Sequence, residues 1–235
     1  MTSKMDCALS LARRGWPVFP LEPNGKRPLT RNGFKDATTS EEKIRRWWER
    51  QPAANIGLAT GQGSNTAVVD IDIKNGAKGR ESLASLKGMP PTLTAATPSG
   101  GWHLYYLCPP GGIRSKNGLL PGIDLKADGG YVVAPGSVID GKPYAWLDAE
   151  ALIEALPEVV LELRRNGNGA QRNGTSPTSS VYTNGSPVDA DALLAQVAPG
   201  NWHAPILRAV ASLVGRGWTD EEILTKTSSY TLSVW

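Results

Sequence analysis

Hydrophobic and polar positions alternate along this chain in short runs of changing period, and each change of period marks an element. Residues 5–14 carry apolar side chains at helical spacing, and residues 16–21 read as a short strand. The turn Pro23-Asn-Gly-Lys-Arg-Pro28 follows, punctuated by glycine and proline. Thr39, Ser40, Glu41 and Glu42 have the spacing of a capping box, with Thr39 as N-cap and Glu42 at the third helical position. They predict a helix that carries Ile44, Trp47 and Trp48 and stops before Pro52. Ile44 and Trp48 lie four apart and share a face, as a core stripe requires.

Residues 55–61 predict a strand and a glycine turn, and four more strands are expected at 66–73, 102–107, 122–126 and 131–138. A short helix over 80–87, ended by Gly88, is expected between the first two of these. A last strand at 144–146 leads into helical segments over 148–165, where Pro157 opens a new helix. Strands and helices mix without strict βαβ alternation, which predicts an α+β fold.

Residues 166–187 are crowded with Gly, Asn, Ser, Thr and Pro and read as a flexible linker. The expected organisation is therefore a larger unit at 1–165, the linker at 166–187, and a small helical domain at 188–235. That last domain is predicted from helical patterns at 188–197 and 204–215 and a second capping box at Thr219 to Glu222. About 48 residues make only a marginal core.

Composition changes the picture mainly by exclusion. The 235 residues contain no apolar run of membrane-spanning length and no signal-peptide core at the start, so a cytoplasmic protein without membrane partner is expected. Two cysteines (Cys7, Cys108) and two histidines (His103, His203) supply neither a disulfide framework nor a four-ligand zinc site, and His203 reads as a surface residue. Any metal must be held mainly by carboxylates. The net charge of +3 is unevenly spread: residues 1–50 carry eleven Lys and Arg against six Asp and Glu. A basic part of this kind suits an anionic partner such as nucleic acid, and an ordinary solvated surface explains it equally well.

Three constellations can carry chemistry. On a strand over 66–73, Asp70 and Asp72 point to one face and Val69, Ile71 and Ile73 to the other. Paired carboxylates on a rigid element suit an oxygen-ligated Mg²⁺ or Mn²⁺. Next, Thr97-Pro-Ser-Gly-Gly-Trp-His103 is a small-residue turn entering a strand. It would present Ser99, free N–H groups of Gly100 and Gly101, and His103 to a phosphate. In the third, Asp124 and Lys126 share a strand face and could meet the paired aspartates across a sheet, whereas Asp128, before Gly129 and Gly130, reads as a hairpin turn residue. Three aspartates, a histidine beside a glycine turn and a lysine suit a metal-bound nucleoside triphosphate.

The order D-I-D, then S-G-G-W-H, then G-I-D-L-K-A-D-G-G-Y-V-V-A-P resembles the three motifs of the archaeo-eukaryotic primase superfamily, in its bifunctional primase/polymerase (prim-pol) branch. The upstream run G-K-R-P-L through I-R-R-W-W to P-A-A-N-I-G-L-A-T-G is similar to the same branch, and the likeness spans about residues 6–160. The resemblance implies a two-part primase-polymerase fold with an RRM-like catalytic sheet. It implies a DNA primase and template-directed polymerase of phage, plasmid or prophage type, acting on NTPs or dNTPs and a single-stranded DNA template. Asp70, Asp72 and Asp124 would hold Mg²⁺ or Mn²⁺, Ser99 and His103 would contact the triphosphate, and Lys126 would add a phosphate contact. Lys26 and Arg27 are weaker phosphate candidates, and Trp47 and Trp48 read as core rather than as base-stacking residues. Where many relatives carry a second proline, this chain has Gly136, a change expected to loosen a turn. No G-x-x-x-x-G-K-[ST] occurs, so a helicase would be a separate chain or a further part of the protein. Two other readings stand beside this one: a non-catalytic DNA-binding replication module of the same fold, and a D-x-D metal-dependent nucleotide-sugar transferase.

Overall fold

The computed structural model describes residues 2–166, and the expected linker and helical tail, with His203, lie outside the described residues. The chain opens with helix α1 (Lys4–Arg13) and strand β1 (Val18–Leu21), then helix α2 (Glu41–Arg50), β2 (Asn55–Ala59) and β3 (Thr66–Ile71). Helix α3 (Gly79–Ser85) separates β3 from β4 (Thr94–Ala96) and β5 (Trp102–Leu107), and β6 (Lys116–Leu120) and β7 (Ile123–Lys126) form a hairpin. The short strands β8 (Tyr131–Val133), β9 (Val138–Ile139), β10 (Lys142–Pro143), β11 (Ala145–Trp146) and β12 (Glu154–Ala155) precede helix α4 (Glu158–Asn166).

Two main sheets result, and the mixture is α+β as expected. The smaller has the order β1-β2-β8, and the larger runs β11-β4-β5-β3-β7-β6 with β12 added in parallel beside β5. In the larger sheet β3 is central, and its alternation decides what lies on either side. One face carries Ala67, Val69 and Ile71, with Tyr106, Ile123 and Leu125 from its neighbours, and is sealed by Leu156 and by Val160 of α4. The other carries Val68, with Tyr105, Leu93 and Ala95, and packs on Leu9 of α1, Ile44 and Trp48 of α2, and Ile56 and Leu58 of β2. Trp16 stacks on Tyr105 at 5.6 Å between ring centroids and ties this layer to the sheet. Trp48 is fully buried and donates its indole N–H to the Ala54 carbonyl. Truncating it to alanine should cost about 3–5 kcal/mol. Trp47 is half-buried, with the Lys43 ammonium 4.9 Å above its ring.

Several local expectations are corrected. Helix α2 is capped by Ser40, whose side chain accepts from the Lys43 N–H, and not by Thr39. Thr38 fixes that entry instead, its hydroxyl accepting the Ser40 N–H. β3 ends at Ile71, so Asp72 lies just past the strand. Helix α3 runs Gly79–Ser85 and is closed by Leu86, before Gly88 is reached. The strand expected over 131–138 is broken after Val133, because Ala134 to Ser137 make a turn in which Ser137 N–H returns to the Ala134 carbonyl. Gly136 does not loosen it: its φ of +94° is outside proline's range, and its N–H donates to the Tyr144 carbonyl. Residues 148–153 are not helical, and β12 occupies part of the expected helical stretch, its entry fixed by Glu154 N–H donating to the Thr92 hydroxyl.

Candidate active site

The sheet register builds the site. Asp70 on β3 stands directly opposite His103 on β5 and Asp124 on β7. On the far side of β5, Ala95 opposes His103. Directly opposed residues share a face and have Cβ atoms about 4.5–5.5 Å apart. The face that buries Val68 and Tyr105 lower down therefore turns ionic at this row, because the fifth residue along β3 is aspartate rather than another apolar residue. Asp72 stays at the same end of the sheet: its N–H donates to the Gly122 carbonyl at 2.8 Å, and its carboxylate lies 3.6 Å from Lys74.

Buried His103 and partly buried Asp70 form an under-satisfied pair. The Asp70 side chain is 25% exposed and the His103 side chain 6%, with Oδ1 3.5 Å from Nε2. Burial and the neighbouring charge of Asp72 push the Asp70 carboxyl up to about 6, with Asp124 adding to the shift and Lys126 and Lys26 opposing it. His103 moves the other way, down to about 3, because burial disfavours imidazolium and Lys26 and Lys126 bring positive charge to bear on it. His103 is thus neutral at ordinary pH, and its contact with Asp70 is not an ion pair. Nδ1 of His103 and the Tyr105 hydroxyl are both buried without a hydrogen-bond partner. The imidazole packs beside Tyr144, at 5.5 Å between centroids, and beside Tyr105 at 6.4 Å.

The β7 side is satisfied throughout. The Lys126 ammonium donates to Asp124 Oδ2 at 2.8 Å and to Asn117 Oδ1 at 2.6 Å. The other oxygen of Asp124, Oδ1, accepts the Gly118 N–H at 2.7 Å. Asp124 and Lys126 thus meet the Asp70 strand across the sheet, as their spacing predicts.

Two loops bring further groups to this end. In the turn between β4 and β5, the Ser99 and Thr97 hydroxyls lie 3.1 Å apart. The expected nest of free N–H groups is corrected in part: the Gly100 N–H is taken by the Thr97 carbonyl at 2.9 Å, closing the turn. Gly101 must be glycine, since a Cβ there would lie 2.0 Å from the Ile71 carbonyl oxygen. That close approach sets Ser99 beside the end of β3.

The second loop is the basic turn after β1, which carries exposed Lys26. Its shape is held by Asn55, a fully buried side chain that donates to the Gly25 and Val138 carbonyls and accepts from Lys4 and the Val138 N–H. Tyr131 adds a bond from its hydroxyl to the Lys26 carbonyl. Arg27 points elsewhere, 82% exposed and 3.9 Å from Glu22. Asp128 lies in a turn closed by Gly130 N–H on the Ala127 carbonyl, and its carboxylate accepts the Gln62 N–H at 2.7 Å. The expected hairpin is corrected, because β7 pairs with β3 and β6 while β8 crosses to pair with β2 in the other sheet.

Sequence reasoning missed Asn55, Asn117, Gly118 and Tyr144. Only the registered partner strands reveal them, since none sits in a pattern of its own. Among the described residues no three His, Cys, Asp or Glu side chains meet closely enough to hold one ion. The donor chemistry nevertheless fits a hard divalent cation. Asp70 is raised by its burial and then by the charge of Asp72 and Asp124, and a hard cation beside these carboxylate oxygens would offset both.

The sequence model of the family described as bifunctional DNA primase/polymerase, N-terminal, matches residues 8–159. The chain belongs to that family, and its general function is that of a DNA primase/polymerase acting with DNA and nucleotides. No curated protein matches it significantly. Among the described residues no helix is long and apolar enough to cross a membrane.

Proposed function

We propose that this prim-pol chain is a template-directed nucleotidyltransferase that adds nucleotides from NTPs or dNTPs to a 3′-hydroxyl, by a two-metal mechanism, in phage, plasmid or prophage DNA replication. The observation that carries the reading is the row His103–Asp70–Asp124 across three adjacent strands, with Lys126 on the same face. In this reading the larger sheet is the RRM-like catalytic half of a two-part primase-polymerase fold. The smaller sheet, with α1 and α2, is the other half.

Asp70, Asp72 and Asp124 would hold Mg²⁺ or Mn²⁺, and the metal would supply Lewis-acid activation of the attacking hydroxyl and charge stabilisation for the departing pyrophosphate. Each residue of the chain has a separable task. Asp70, partly buried on the central strand, ties the site to the middle of the larger sheet. His103 presents its Nε2 edge to the site and, being neutral, acts as a hydrogen-bond partner to the triphosphate rather than as a fixed charge. Ser99 adds a hydroxyl from the glycine turn. Lys126 and Lys26 approach from opposite halves of the fold and neutralise phosphate charge. The domain order 1–165, 166–187 and 188–235, the cytoplasmic setting and a helicase on another chain or a further segment belong to the same proposal. The family match leaves the nucleotide-sugar reading without support.

Primer extension on a single-stranded template with Mg²⁺ or Mn²⁺ tests it, beside the same template unprimed. The expected result is metal-dependent, template-directed product that is lost in Asp70→Ala. Undiminished incorporation by Asp70→Ala would overturn the site. Stable DNA binding without incorporation under any metal would favour the non-catalytic member of the same fold.

A further inference from the structure

β6 does not pair regularly with β7. Lys116 opposes Leu125 and Leu120 opposes Ile123, so three residues of β6 (Asn117, Gly118 and Leu119) stand against the single residue Asp124. Such a bulge turns side chains and backbone groups out of their regular directions, and bulges gather beside active sites. This one depends on Gly118, whose φ of +62° lies in the left-handed region although nothing crowds a Cβ there. The bulge aims two groups inward: the Asn117 carbonyl oxygen at Lys126 and the Gly118 N–H at Asp124 Oδ1.

We propose that the β6 bulge is a positioning element: it holds Oδ1 of Asp124 with a backbone N–H, so that a cation is directed to Oδ2 in exchange for Lys126, and it keeps Lys126 tethered for the triphosphate. This rests on the nucleotidyltransferase reading above. Gly118 occupies Oδ1, so a cation that binds Asp124 takes Oδ2, the oxygen on which Lys126 rests. Lys126 is then released from Asp124 but not from Asn117, whose neutral carbonyl does not compete for the metal. The ammonium stays within reach of the site as the metal arrives, ready to exchange a carboxylate for a phosphate oxygen. Asn117 is a positioning residue here, acting through Lys126. Its exposed side chain makes substitution safe for the fold.

The test uses the full chain and two binding readouts. Free Mn²⁺ is followed by its paramagnetic resonance signal, and dNTP affinity by equilibrium competition in the presence of Mn²⁺. Asn117→Leu should weaken dNTP binding about five- to tenfold, while Mn²⁺ affinity without nucleotide changes by less than about twofold. Asn117→Gln, which keeps the amide carbonyl, should recover most of the loss. Lys126→Met should tighten Mn²⁺ alone by about two- to fivefold, because the resident cation is gone. Unchanged dNTP affinity in Asn117→Leu overturns the proposal, as does a loss of Mn²⁺ affinity equal to the loss for dNTP, which would mark a merely structural role. Asp70→Ala separates the two levels. If it still binds Mn²⁺ and incorporates nucleotide, the catalytic reading itself fails; if it loses both while Asn117→Leu behaves as wild type, only the bulge assignment fails.

Discussion

The two flanks of Asp70 are built on opposite principles. Toward β5, Asp70 is partly buried and His103 buried, and the two are held 3.5 Å apart with an unpartnered imidazole nitrogen and an unpartnered Tyr105 hydroxyl behind them. Toward β7, every polar atom of Asp124 and Lys126 has a partner at 2.6–2.8 Å. Buried polar groups without partners are costly and therefore rare. Their concentration on one flank is what the proposed triphosphate contact would relieve. On the satisfied flank, in the same reading, protein groups occupy the positions that substrate and metal would take.

The largest effect expected from this contrast is on catalysis. Asp70→Ala should lower metal-dependent incorporation by on the order of a hundred- to thousandfold, measured by primer extension. A loss no greater than that of a surface carboxylate such as Asp140→Ala would dissolve the contrast.

Next is stability. The Asp70 carboxyl stands at about 6 against an ordinary 3.8, so the folded metal-free protein holds this proton more tightly than the unfolded chain does. No penalty exists below the ordinary value, and stability is lost as pH rises from there through the folded value. Asp70→Asn removes the penalty and should stabilise the metal-free protein by about 1–3 kcal/mol at neutral pH, a gain that vanishes by about pH 4. Thermal denaturation at the two pH values checks it, and equal gains at both would show that the carboxylate charge is not the cause. His103 has the opposite sign: its depressed value gives stability that is present above 6.5 and lost as pH falls toward 3.

A smaller effect is expected from His103→Ala, which should weaken triphosphate binding about tenfold with less change in Mn²⁺ affinity. An unchanged nucleotide affinity would remove His103 from the site. The smallest belongs to Lys26→Ala, expected to weaken nucleotide binding by about two- to threefold and to do so less at high salt. A salt-independent loss would mean that the turn had been disturbed rather than a charge removed.

The parts of this arrangement that were legible in the sequence are those written in local period. Alternation placed Asp70 opposite in face to Val69 and Ile71, and Asp124 on the same face as Lys126, as the structure has them. What alternation cannot supply is register. That Asp70 faces His103 on one side and Asp124 on the other depends on pairings between residues more than thirty apart. The same limit hid Asn117 and Gly118: an Asn-Gly pair favours a two-residue hairpin turn, whereas the chain uses it as a bulge and turns later, at Pro121 and Gly122. Asn55 was hidden for another reason. It lies in a strand whose neighbours are apolar, and its worth comes from four bonds to partners distant in sequence. The helix cap was misplaced by one residue because Thr39 and Ser40 are chemically equivalent as caps, and only the bond from Ser40 N–H to Thr38 decides between them.

The β6 bulge has one more consequence, for the behaviour of the molecules toward one another. β6 is the last strand in the order of the larger sheet, so its outer rim offers backbone groups that another chain's strand could pair with. A strand that bends out of line over three residues, with Lys116 at its start, makes a poor template for such pairing. A substitution at Asn117 or Gly118 that straightens β6 should therefore be read for turbidity as well as for turnover.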